Sequence, residues 1–118
     1  KISTTQVIVL KQDILQALKM NTIFSDKFNQ INFKIDPKKK TLELRSKNGE
    51  IGESLTKIDG AISGEEIEVN FNHKYINDCF QSIISDSVSF EFSGMNKPLV
   101  IKGVSDQSFT YIVMPMNK

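Results

Sequence analysis

The chain is punctuated by short runs in which apolar and polar residues alternate. Ile31, Phe33 and Ile35 alternate with Asn32 and Lys34, and Leu42 and Leu44 alternate with Glu43 and Arg45. A period of two places one set of side chains on a buried face and the other in water, so each run predicts a strand. The β-branched run Gln6 to Leu10 predicts another, and a weaker one lies around Ile51 to Ile58. From Lys11 to Met20 the period changes. Ile14, Leu15 and Leu18 fall on one side, with Gln12, Asp13, Gln16 and Lys19 elsewhere, which is helical spacing.

The order then repeats. Ile67, Val69 and Phe71 alternate with Glu66, Glu68 and Asn70. Asn72 is a good helix N-cap, and Ile76, Cys79, Phe80 and Ile83 give a helix over 73–84. Three strands follow: Val88 to Phe92, Pro98 to Lys102, and Phe109 to Val113. The pattern is strand, helix, three strands, twice over, with repeats at roughly 5–60 and 65–113. It predicts an α+β fold: two antiparallel four-stranded sheets, each with one face covered by a helix.

Asp36-Pro37-Lys38-Lys39-Lys40 reads as a turn, with proline pre-set for its corner. The lysine triplet is either a solvated hairpin tip or a phosphate patch. The acidic cluster Glu65-Glu66-Glu68 at a strand start reads as a solvated edge.

Composition refines this picture. A chain of 118 residues suits one domain. Net charge is +1, so no global field marks a nucleic-acid binder. Of fifteen basic residues only Arg45 is an arginine. Lysines suit loose, sequence-blind phosphate contact better than bidentate readout; a lysine-biased genome gives the same composition. Cys79 has no internal disulfide partner and fits a reducing, cytoplasmic compartment. No segment approaches the roughly twenty apolar residues of a membrane span. Lys1 at the start suggests a chain cut from something longer.

Catalytic chemistry is nearly absent. His73 is expected on the helix surface, about 240° around from Cys79, which is expected in the core. No Ser/His/Asp or Cys/His arrangement, metal-ligand spacing or phosphate loop is present, and no cofactor is expected. The chain reads as a non-enzyme. Its last segment, Tyr111 to Val113 followed by Met114-Pro115-Met116, reads in two ways. It is a docking tail with two adaptable thioethers around a proline, or a plain terminus capping a core edge.

Three segments carry a family resemblance across nearly the whole chain: Ile23-Phe24-Ser25-Asp26-Lys27-Phe28, Val69 to Ile76, and above all Tyr111 to Met116. They resemble the C-terminal domain of the bacterial DNA polymerase III beta subunit, the DNA sliding clamp. The resemblance implies a processivity fold with sheets outside and helices lining a hole. The full subunit would have three such domains, and two subunits would form a ring around double-stranded DNA. Polymerase subunits, the clamp loader and repair proteins would dock through short peptide motifs in a groove. On this chain the groove residues implied are Asn72, Tyr75, Pro98, Ile112, Val113, Met114, Pro115 and Met116. The implied subunit interface is Ile23, Phe24, Glu50 and Glu53, and the implied DNA-facing residues are Lys11, Lys19 and Lys74. Asn117-Lys118 departs from the family's frequent arginine-apolar ending. A structural module without DNA encirclement, or half of a eukaryotic-type clamp, would show the same duplicated pattern.

Overall fold

A computed structural model describes residues 5–22, 30–48, 52–80, 82–94, 96–105 and 110–116. Strand β1 (Thr5–Leu10) runs directly into helix α1 (Lys11–Thr22), followed by β2 (Gln30–Asp36), β3 (Thr41–Asn48) and β4 (Gly52–Asp59). A short strand β5 (Ala61–Gly64) intervenes. Then come β6 (Ile67–Asn72), α2 (His73–Cys79), β7 (Ser87–Phe92), β8 (Leu99–Gly103) and β9 (Thr110–Val113).

The sheets are antiparallel, ordered β5-β1-β7-β8-β9 and β4-β3-β2-β6. Two expectations are corrected here. One sheet has five strands, because β5 pairs with β1 (Val7 opposite Ile62). In addition, the opening strand of each repeat pairs in the other repeat's sheet: β1 lies against β7 and β6 against β2. One of the crossings from sheet to sheet, the one between β4 and β5, occurs at Gly60. A Cβ at Gly60 would stand 2.6 Å from the Ile8 carbonyl oxygen and 2.7 Å from Val9 Cγ1, so only glycine fits.

The inward residues of the alternating runs meet between the sheets. Phe33 of β2 packs edge-on against Phe71 of β6 at 5.5 Å and reaches Phe90 of β7 in the facing sheet at 5.9 Å. Phe71 and Phe92 cross the same gap at 6.3 Å. Helix α1 buries Ile14, Ala17 and Leu18 and lies against β3 and β4, while α2 touches β6, β9 and α1. The second helix thus bridges both sheets.

The expected helix over 73–84 stops at Cys79, with Phe80 as C-cap. Phe80 and Ile83 are buried as the spacing implied. However, the carbonyls beyond them are claimed from a distance: Lys11 Nζ donates to the Ile83 carbonyl, and Lys11 N–H donates to that of Asp86 at 2.8 Å. At the β2–β3 turn, Asp36 Oδ1 accepts the N–H groups of Lys38 (3.1 Å) and Lys39 (3.3 Å). Lys40 takes a left-handed φ of 55°.

Candidate functional site

The alternation that buries Val69 and Phe71 of β6 leaves Asn70 and Asn72 half-buried. Asn72 then ends the strand. Its φ, ψ of −85°, 116° are extended, and its Oδ1 accepts the Lys74 N–H at 2.9 Å, so it caps α2 as the sequence suggested. One turn further, Tyr75 is 63% exposed.

Strand β9, which this helix touches, alternates as well. Ile112 is 66% exposed and Val113 is 5% exposed. Val113 therefore spends its side chain on the core, which corrects its placement among groove-lining residues. Met114 is 61% exposed; Pro115 and Met116 are half-buried. The tail does not hang free: Met116 N–H donates to the Asn70 carbonyl at 2.8 Å. Pro98 is half-buried just before β8, whose Leu99 and Val100 face Val113 and Ile112 of β9. The structure thus brings Asn72, Tyr75, Ile112, Met114, Pro115 and Met116 onto adjoining elements, α2 and β9 being in contact.

The remaining site residues divide. Ile23, Phe24 and Glu50 lie outside the described residues. Glu53 is exposed on β4, an outermost strand of its sheet. Lys19 and Lys74 are exposed. Lys11 is half-buried with its ammonium on the Ile83 carbonyl, so less of its charge is offered to a ligand than the sequence suggested.

His73 is the clearest correction among the chemical residues. It is buried, not on the helix surface, and its Nε2 has no hydrogen-bond partner. Burial, and secondarily the Lys74 ammonium, lower its pKa from the ordinary 6.5. The signal was available: His73 lies three residues before Ile76 and six before Cys79, and these three form the buried stripe of α2. Cys79 is in the core as expected, its Sγ donating to the Tyr75 carbonyl at 3.2 Å. Burial pushes its thiol up to about 11, so the thiolate that would react is scarce at neutral pH. Among the described residues no three His, Cys, Asp or Glu side chains are grouped to hold a metal. No helix there is long and apolar enough to cross a membrane. The arrangement offers an apolar, thioether-rich surface with a few polar groups, suited to binding.

Comparison with known proteins points the same way. Beta sliding clamps of Staphylococcus aureus are 34% identical to this chain over 76 residues, 64% of this chain and 20% of theirs. The fold superimposes on the DNA polymerase III beta subunit of Thermotoga maritima with a TM-score of 0.93 at 24% identity, over 100% of this chain and 32% of that one. For the beta subunit of Pseudomonas aeruginosa the TM-score is 0.92 at 23% identity, again over 100% and 32%. This chain therefore spans about a fifth of the curated relatives and about a third of the solved chains. Residues 1–117 match the family described as DNA polymerase III beta subunit, C-terminal domain, and with the duplicated fold and the Met-Pro-Met tail in place, the chain belongs to that family.

Proposed function

We propose that this chain is a sliding-clamp C-terminal domain, built from repeats at roughly 5–60 and 65–113, and that it works by docking and not by catalysis. Its surface around Tyr75, Ile112 and Met114 is read as one wall of a groove for short peptides of polymerase, clamp-loader and repair proteins. The carrying observation is that these three large apolar side chains are all strongly exposed on adjoining elements, at 63%, 66% and 61%. Such anchors suit a peptide bearing leucine and phenylalanine. Asn72, Pro98, Pro115 and Met116 complete the wall.

In the assembled clamp, Ile23, Phe24, Glu50 and Glu53 form the joint with a second subunit of a homodimeric ring. Lys19 and Lys74, with the partly engaged Lys11, screen the phosphates of encircled duplex DNA without reading bases. The setting is the bacterial cytoplasm.

The test is a titration with a labelled glutamine-leucine-x-leucine-phenylalanine peptide, followed by NMR at Tyr75 and the tail. Tyr75→Ala should weaken binding by about 1–2 kcal/mol. Undiminished binding by Tyr75→Ala, or by a chain lacking 114–118, would place the docking surface elsewhere. That deletion also removes the Met116–Asn70 hydrogen bond. The shortened chain should therefore fold with a loss of about 0.5–1.5 kcal/mol.

A further inference from the structure

β9 is an outermost strand of the five-stranded sheet and β6 an outermost strand of the four-stranded one. The tail passes from the first to the second. Pro115 has no N–H to give, and the next donor along, Met116 N–H, lands on the Asn70 carbonyl at 2.8 Å. Asn70 is secured from the other side as well. It stands opposite Asn32 in the β2–β6 register, and Asn32 Nδ2 donates to its Oδ1 at 2.8 Å. Two residues after Asn70, Asn72 caps α2, and Tyr75 follows within one turn. A backbone hydrogen bond therefore ties the end of one sheet to the strand-to-helix junction of the other.

We propose that the Met116–Asn70 bond is a strap that positions the docking wall. It fixes the tail against the β6–α2 junction, so that Met114 and Tyr75 are presented as one rigid surface. The backbone N–H of Met116, not its thioether, carries this role. The functional sense of the strap rests on the peptide-groove reading, but the strap itself can be tested without any peptide.

Met116→Pro in the 118-residue chain removes the donor, and Met116→Ala keeps the donor while removing the thioether. In amide NMR spectra of the free proteins, the signals of Asn72 to Ile76 should shift in Met116→Pro and stay in place in Met116→Ala. Signals of Val7 and Ile14 in the distant core should be constant in both. If the Asn72 to Ile76 signals stay in place in the proline variant, or move as far in the alanine variant, the strap is overturned. Should Met116→Pro fail to fold, a chain ending at Pro115 replaces it, with the same two outcomes. With the Gln-Leu-x-Leu-Phe peptide added, the proline variant should bind about tenfold more weakly, the loss of roughly one hydrogen bond's worth of ordering. The alanine variant should bind more tightly than the proline variant. Equal weakening in the two would overturn the strap's part in binding. If the unaltered chain binds no peptide, the groove reading fails, and the spectra of the free proteins still decide the strap.

Discussion

His73 shows how one side chain's surroundings set a measurable property. Its imidazole is buried with Nε2 unpartnered, and its pKa lies below 6.5. Below pH 6.5 the unfolded chain therefore takes up a proton that the folded chain resists. This contribution to stability is complete above about pH 6.5. It falls as pH drops through the lowered folded value and then flattens. Urea unfolding between pH 5 and 8 should show this acid-side loss in the wild type, and His73→Leu should remove part of it. Gly60 sets a different limit. With the Ile8 carbonyl 2.6 Å from a would-be Cβ, Gly60→Ala forces β1 and the β4–β5 link apart. It should cost about 1–3 kcal/mol in urea unfolding, the usual scale of overpacking.

At the level of elements, strong periodicity was legible and pairing was not. The alternating residues Ile31, Phe33 and Ile35 are all fully buried, and Ile14 and Leu18 of α1 line the core as their spacing required. β5 escaped sequence reasoning because Ala61-Ile62-Ser63-Gly64 contains one large apolar residue, too little to show a period. It becomes a strand through its pairing with β1. The over-long α2 had another origin: local spacing favours helix to Ile84, but the chain tightens at its end, where Phe80 N–H donates to the Asn77 carbonyl and Ser82 N–H to that of Cys79. The groove residues come from the resemblance alone, and the alternation of β9 turns one of them, Val113, inward. Pairing also builds a feature invisible along the chain. Across the four-stranded sheet, Glu68, Lys34, Glu43 and Lys57 stand side by side, one per strand, with alternating charge. Lys57 and Glu43 approach to 4.0 Å. Glu43→Lys would place three lysines abreast. It should lower stability by about 1 kcal/mol at low ionic strength, with most of the loss recovered in about 1 M salt, where the Debye length is roughly 3 Å.

For the whole molecule, the outermost strands govern association. β4 extends over eight residues and carries Glu53, Lys57 and Asp59 exposed along it. Charges on a sheet edge discourage pairing with an identical edge. The chain should therefore sediment mainly as a monomer at micromolar concentration, and a stable closed dimer would contradict this. Its affinity for short duplex DNA should stay in the non-specific range, ~10⁻⁴ M or weaker, and fall with added salt.

The exchange of β1 and β6 between sheets also dictates an order of assembly. β4, β3, β2 and β6 are drawn from one continuous stretch and can meet as soon as that stretch exists. β1 must wait. Its central neighbour is β7, and the side chains of Gln6 and Ser89, 83 positions apart, meet only when the two strands are paired. Contacts so far apart in sequence are slow to close. At a synthesis rate of about 5–20 residues per second, Val7 and Val9 are made well before β7, and their cover is completed only when β7 arrives. Of the described strands, β1 is thus the one that a ribosome-bound chaperone would meet half-paired for longest.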